Sequence, residues 1–145
     1  MKKIFILKGN PNTGKTTKIN TIADWIINNY SIPNTIKLDP ADFKLDTHGI
    51  LTIKKLTIGI NSAGDDFESV RKIDDIAINS DIILCACRTK GITYQHIYKN
   101  YNFATGWLDK IIYVEEYLPT QTIDIYNRDL RIIEELKTWL IGLEK

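Results

Sequence analysis

Residues 9 to 16 read GNPNTGKT, with Gly9, Gly14, Lys15 and Thr16 in the spacing G-x-x-x-x-G-K-[ST]. Each residue type has a mechanical reason to stand there if the ligand is a chain of phosphates. Two glycines let the backbone turn through conformations that a Cβ forbids. The loop also contains Asn10, Pro11, Asn12 and Thr13, and its N–H groups can converge on a phosphate at the positive end of a helix beginning near Lys15. Lys15 is a mobile ammonium able to bridge phosphate oxygens, and Thr16, with Thr17 beside it, offers a hydroxyl to Mg²⁺. The spacing therefore predicts capture of a polyphosphate with a divalent cation.

Phosphate chemistry also needs a carboxylate that holds the metal or positions water, and a cation that spreads the developing charge. Three segments compete for those roles. In LTIGINSAGDD, residues 56 to 66, Gly64 can present its N–H to a terminal phosphate, and Asp65 or Asp66 can reach the metal or a water. The plainer reading is that Asp65 caps the following helix. In LDPADF, residues 38 to 43, Asp39 or Asp42 can act as base on an acceptor hydroxyl or hold Mg²⁺. Otherwise these are solvated acids in a proline turn. In CRTKG, residues 87 to 91, Arg88 can neutralise transition-state charge, or simply pair with a surface acid.

These residues must be carried by elements, and the chain alternates strand patterns with helix patterns from end to end. Lys3 to Gly9 is an apolar run of strand length. Ile19, Ile22, Ala23, Ile26, Ile27 and Tyr30 then recur at helical spacing. Thr35 to Leu38 reads as a second strand, and Gly49 to Asn61 as one long strand or a hairpin turning near Lys54 and Lys55. Phe67, Val70, Ile73 and Ala77 mark a helix, Asp81 to Cys87 a strongly apolar strand, and Tyr94, Ile97, Tyr98 and Tyr101 another helical stripe. Lys110 to Glu115 makes a further strand, and Leu130, Ile133, Leu136, Leu140 and Leu143 define a C-terminal helix. Such alternation predicts an α/β fold: a three-layer, open, mostly parallel sheet with helices on both faces.

With a strand before it and a helix after it, GNPNTGKT resembles the Walker A loop of the P-loop NTPase superfamily. The likeness is specific over residues 3 to 30 and loose over the remaining alternation. It implies a nucleoside triphosphate and Mg²⁺ as ligands, held by residues 9 to 17. INSAG resembles the D-x-x-G switch of GTPases with Asn61 in place of Asp. A guanine signature [NT]-K-x-D is missing, since Ile36-Lys37-Leu38-Asp39 lacks the first residue and comes too early. ATP is therefore the expected nucleotide. Only about twenty residues separate Cys87 from Lys110, and Arg88 is their sole arginine, which leaves no room for the arginine-rich lid of a usual nucleotide kinase. The leading expectation is slow ATP hydrolysis by Lys15, Thr16, Asp65 or Asp66, and Arg88. Two alternatives stand beside it: a phosphotransferase using Asp39 or Asp42 on a small acceptor, and a nucleotide-dependent switch that acts on a partner protein.

Composition narrows the field without choosing within it. The chain has 145 residues, enough for one domain with a real core. Nineteen Lys and Arg face 18 Asp and Glu, a formal net charge of +1, so no electrostatic footprint for nucleic acid is present. A 43% hydrophobic share excludes a disordered chain, and no apolar run reaches the length of a bilayer span. MKKIFILKGN begins like a signal peptide, but its apolar stretch is too short and ends in Lys8-Gly9, so a buried strand is expected. Cys85 and Cys87 lie on one side of a strand, poorly placed for a disulfide or zinc, as reduced thiols of a cytoplasmic protein would. His48, His96, the three tryptophans and the tyrosine stripe take structural readings, and Glu115-Glu116 merely closes a strand.

Overall fold

Ile4 to Leu7 carry apolar side chains on both faces, as a strand covered from both sides requires. They form the middle of β1 (Lys2–Lys8), followed by α1 (Lys15–Tyr30), β2 (Lys37–Asp39), β3 (His48–Ile53) and β4 (Leu56–Asn61). Then come α2 (Phe67–Arg71), α3 (Ile73–Ala77), β5 (Ile82–Cys87), α4 (Ile92–Asn100), β6 (Trp107–Tyr113) and α5 (Thr122–Glu144). The computed structural model describes residues 2–10, 13–30, 37–39, 48–53 and 56–144. Asp42, Pro11 and Asn12 lie outside them.

One six-stranded sheet has the order β2-β3-β4-β5-β1-β6. β4, β5, β1 and β6 are mutually parallel, and β3 runs against both β2 and β4. The segment from residue 49 to 61 is thus the hairpin and not the single strand, with Ile53 opposite Leu56. The fold is α/β with helices on both faces. Alternation along β1 divides its residues between the two cores. Phe5 and Leu7 pack with Ile19, Ile22 and Ile26 of α1 and with Ile132, Leu136 and Leu140 of α5. Ile4 and Ile6 face Val70 of α2, Ile73 and Ala77 of α3, and Ile97 of α4. Each such side chain, fully buried, contributes about 1.5–3 kcal/mol before entropy is counted.

Crossovers obey one handedness. The chain leaves β1 through α1 toward the β2 side on one face. It returns through α2, α3 and α4 on the other, passing over β1 to reach β6. Consequently the turns after β1, β4, β5 and β6 all open at the carboxyl edge of the parallel strands, where ligands of such sheets collect.

Several expected boundaries moved. The helix read over 67 to 77 is two short helices broken at Lys72. The sixth strand starts at Trp107, which packs edge-on against Tyr101 and closes that core. Trp139 packs against Phe5, and Trp25 is partly buried in the same cluster, so all three tryptophans serve packing. Leu130 is half exposed, and the inward face of α5 runs instead through Arg128, Ile132, Leu136 and Leu140, a spacing of four. In the tyrosine stripe Tyr101 is buried, whereas Tyr98 points to solvent. Both cysteines are buried and free. No described helix is long and apolar enough to cross a membrane.

Candidate functional site

β1 ends on Lys8, a buried lysine held by aromatic rings. Its ammonium sits 3.4 Å above the Tyr94 ring centre and 3.2 Å from the Tyr113 hydroxyl. The loop then leaves the sheet between two neighbours. Gly9 N–H donates to Cys87 O at 3.1 Å, and Val114 N–H donates to Lys8 O at 2.9 Å. Asn10 holds the next position on two sides. Its Nδ2 donates to Glu116 Oε2 at 2.7 Å, and its Oδ1 accepts from Thr89 Oγ1 at 3.0 Å. The turns after β5 and β6 therefore hold the loop of β1.

Gly14 has φ +80°, a left-handed conformation that a side chain would strain, and α1 begins at the next residue. Lys15 is 5% exposed, yet it folds back over the loop instead of reaching solvent. Its ammonium donates to Gly9 O at 2.8 Å and to Asn10 O at 2.9 Å, and lies 3.1 Å from Asp65 Oδ1. Asp65 is half exposed. Thr16 Oγ1 donates to Ser62 O at 3.1 Å, which ties the first turn of α1 to the end of β4. Thr13, Gly14, Lys15, Thr16, Thr17, Gly64 and Asp65 line a cleft of about 330 Å³. Of the three segments that competed for the carboxylate role, the structure brings 62–66 to the loop.

The shape of that segment comes from Asn61, buried at the end of β4. Nδ2 donates to Ser69 O at 3.0 Å and to Ala63 O at 3.4 Å, while Oδ1 lies 3.2 Å from His48 Nδ1. An aspartate could not donate to those carbonyls, which explains why the D-x-x-G resemblance carries Asn here. Gly64 is pressed against β5, where a Cβ would stand 2.5 Å from the carbonyl carbon of Ala86.

One sequence reading needs correction. The residue that caps the helix is Asp66, not Asp65: its Oδ1 accepts from Ser69 N at 2.8 Å and its Oδ2 from Ser69 Oγ at 2.9 Å. The Ser69 amide in particular holds the Asp66 carboxyl below the usual carboxylate range, and both oxygens are turned toward α2. Asp66 does not line the cleft. His96 pairs with Asp74 at 3.1 Å, and Asp74 also accepts from Tyr101 Oη; none of these lines the cleft.

Arg88 is exposed and outside the wall of the cleft; its backbone N–H donates to Thr93 Oγ1 at 3.2 Å. Asp39 ends β2, opposite His48 in register, and Asp42 lies outside the described residues. No group of three or more His, Cys, Asp or Glu among the described residues could hold a metal unaided.

Reasoning from the sequence missed a polar cluster behind the loop. Arg128 of α5 is 7% exposed and Lys18 of α1 is 3% exposed, and both engage Asp129. Burial pushes the Lys18 ammonium down in pKa, and the bond to Asp129 offsets part of that. For Asp129 burial works upward, but the hydrogen bonds from Lys18 and Arg128 win and hold it below its ordinary value. The signal that could have found Arg128 is its place four residues before Ile132 on the buried face. Beside the cluster a second lobe of about 630 Å³ shares Thr13 and Gly14 with the cleft and is walled by Tyr117, Pro119 and Ile125. No protein-family model, curated protein or solved structure matches this chain.

Proposed function

We propose that this chain is a P-loop nucleotide-binding protein that takes a nucleoside triphosphate, ATP by expectation, with Mg²⁺ and hydrolyses its terminal phosphoanhydride. One observation carries the reading. A buried lysine ammonium, anchored by two loop carbonyls, faces a single exposed carboxylate inside a cleft at the start of α1. The adjoining lobe opens from the same turn and sets Tyr117, Pro119 and Ile125 beside the charged Glu116, Arg128 and Asp129, a mixed lining that could take a nucleoside.

Mg²⁺ fits the residues present. Thr16 Oγ1 and the Asp65 carboxylate are hard oxygen donors on the cleft wall, and Mg²⁺ commonly takes one or two protein ligands with phosphate and water for the rest. Bound there, the ion would neutralise charge on the bridging and terminal phosphate oxygens.

The residues then divide the work. N–H groups at the first turn of α1 orient the phosphate chain. Lys15 keeps its two loop carbonyls and exchanges Asp65 for a phosphate oxygen. Asp65, released from the ion pair, orients the attacking water. Water oxygen bonds to the terminal phosphorus as the bridging P–O bond breaks, the leaving nucleoside diphosphate carries the electron pair, and the water's proton passes to an oxygen of the transferred phosphoryl group. Purified protein with Mg-ATP should release inorganic phosphate, and Lys15→Ala should abolish release and weaken nucleotide binding in calorimetry. Phosphate transfer only when hydroxylated acceptors are added would replace hydrolysis with phosphotransfer. A wild-type protein that binds no nucleotide would overturn the proposal.

A further inference from the structure

We infer that Arg128, Lys18 and Asp129 form a brace that sets the direction of the peptide planes at the 13–15 turn, making α5 a positioning element of the anion site. The inference rests on reading that turn as a phosphate site. The Arg128 guanidinium is fully engaged across three segments. Nε donates to Asp129 Oδ1 at 2.9 Å, Nη1 to Glu115 O at 2.5 Å, and Nη2 to Thr13 O at 3.2 Å. Lys18 Nζ donates to the same Thr13 carbonyl and to Gly14 O, each at 3.2 Å, and pairs with Asp129 at 2.8 Å. Two buried cations thus share one carboxylate, and between them they donate to two consecutive loop carbonyls, Arg128 holding Glu115 O as well.

Neither cation is explained by the stability of its own helix. Lys18 lies in the first turn of α1, where the helix dipole disfavours positive charge, and that turn contains no acidic residue. Arg128 continues a face that is otherwise Ile132, Leu136 and Leu140, where an apolar side chain would avoid the desolvation of a charge. What both accomplish lies in the loop. In a planar trans peptide the N–H points opposite to the C=O. Holding Thr13 O toward α5 therefore turns Gly14 N–H the other way, and holding Gly14 O does the same for Lys15 N–H. Gly14, at φ +80°, enters the left-handed region without strain and has the widest backbone freedom of any residue, so its orientation is set by what its peptide groups bond to. The helical bond from Lys18 N–H already holds Gly14 O at 3.1 Å, and the brace adds a second donor there and holds Thr13 O, so the donors are aligned before a ligand arrives.

Calorimetry with Mg-ATP and, separately, with tripolyphosphate tests the brace on wild type, Arg128→Ala, Arg128→Lys and Arg131→Ala. Arg131 removes the same charge from the same helix but bonds only to exposed Glu115 oxygens. The expected result is that Arg128→Ala weakens both ligands about tenfold and Arg128→Lys about threefold, with Arg131→Ala unchanged. In the ligand-free protein the Gly14 amide resonance should move in both Arg128 variants and stay in place in Arg131→Ala. Weaker ATP binding with unchanged tripolyphosphate binding would make Arg128 a nucleoside contact and overturn the brace. Equal weakening by Arg131→Ala would reduce it to bulk charge, which also overturns it. If wild type binds both ligands and every variant matches it, the brace fails and the phosphate reading stands; if wild type binds neither, both fall. Should Arg128→Ala not fold, Arg128→Lys decides the matter by the same comparison.

Discussion

Gly64→Ala asks whether the wall of the cleft is packed as tightly as its chemistry demands. A Cβ at Gly64 would stand 2.5 Å from the carbonyl carbon and oxygen of Ala86 and 2.9 Å from its Cβ. Ordinary contact begins at 3.4 Å, so the methyl lacks 0.9 Å of room against backbone. β5 cannot give way, because it is hydrogen-bonded to β4 on one side and β1 on the other. The 62–66 segment must move instead. Overpacking of this kind costs about 1–3 kcal/mol, which for a chain of this size lowers the melting temperature by about 3–10 °C. Moving that segment also carries Asp65 away from Lys15, now 3.1 Å distant. A misplacement near 1 Å can cost about a hundredfold in rate. Thermal melting and steady-state phosphate release from Mg-ATP read the two effects separately. A melting temperature within about 1 °C of wild type would refute the packing argument. A lowered melting temperature with unchanged turnover would leave the packing intact and remove Asp65 from the mechanism.

Three further outcomes follow from other parts of the fold. Asn61→Asp, which would complete the D-x-x-G pattern, should instead lower stability by about 2 kcal/mol in chemical denaturation, because Ser69 O and Ala63 O lose their donor and a charge is buried. The Asp129 carboxyl is held below its usual 3.8, so its pairing stabilises the fold above that pH and is lost as pH falls through the depressed native value. Asp129→Asn should therefore flatten the acid limb of a stability–pH curve below 3.8. At neutral pH it should cost about 2 kcal/mol, a figure discounted for the partial exposure of Asp129. Burial pushes Cys87 up to about 11 and raises Cys85 well above its usual value, so a thiol reagent near pH 8 should label neither in the native protein and both after denaturation.

The loop of residues 9 to 17 was legible because its signal is local: glycine, lysine and threonine at fixed spacing, with a strand before and a helical period after. Strand and helix alternation was legible for the same reason. The hairpin of β3 and β4 was left open, since apolar residues run through both arms and only the pairing of Ile53 with Leu56 settles the turn. Asp65 and Asp66 were interchangeable on paper. Which one caps α2 depends on where Ser69 N–H points, and that follows from Asn61 gripping the same residue's carbonyl. Arg128 was illegible for a deeper reason. A charged residue on a helix reads as solvated face, and its burial is licensed by carbonyls about 13 and 115 residues away along the chain.

β1 is made early and sits beside β6, whose Tyr113 hydroxyl meets Lys8 across a separation of 105 residues. On a ribosome the glycine-rich loop therefore emerges long before the strand that accepts its neighbour. Until Val114 N–H can reach Lys8 O, and Glu116 can reach Asn10, the loop has lost two of its anchors. The nascent chain passes through a period in which Gly9, Gly14 and Lys15 have been made and the turn they form is not yet held. Non-local pairing of this kind also slows folding, because loop closure must precede the contacts that reward it. Closure of the turn after β1 is then a late event in the life of each molecule, timed by the arrival of its sixth strand.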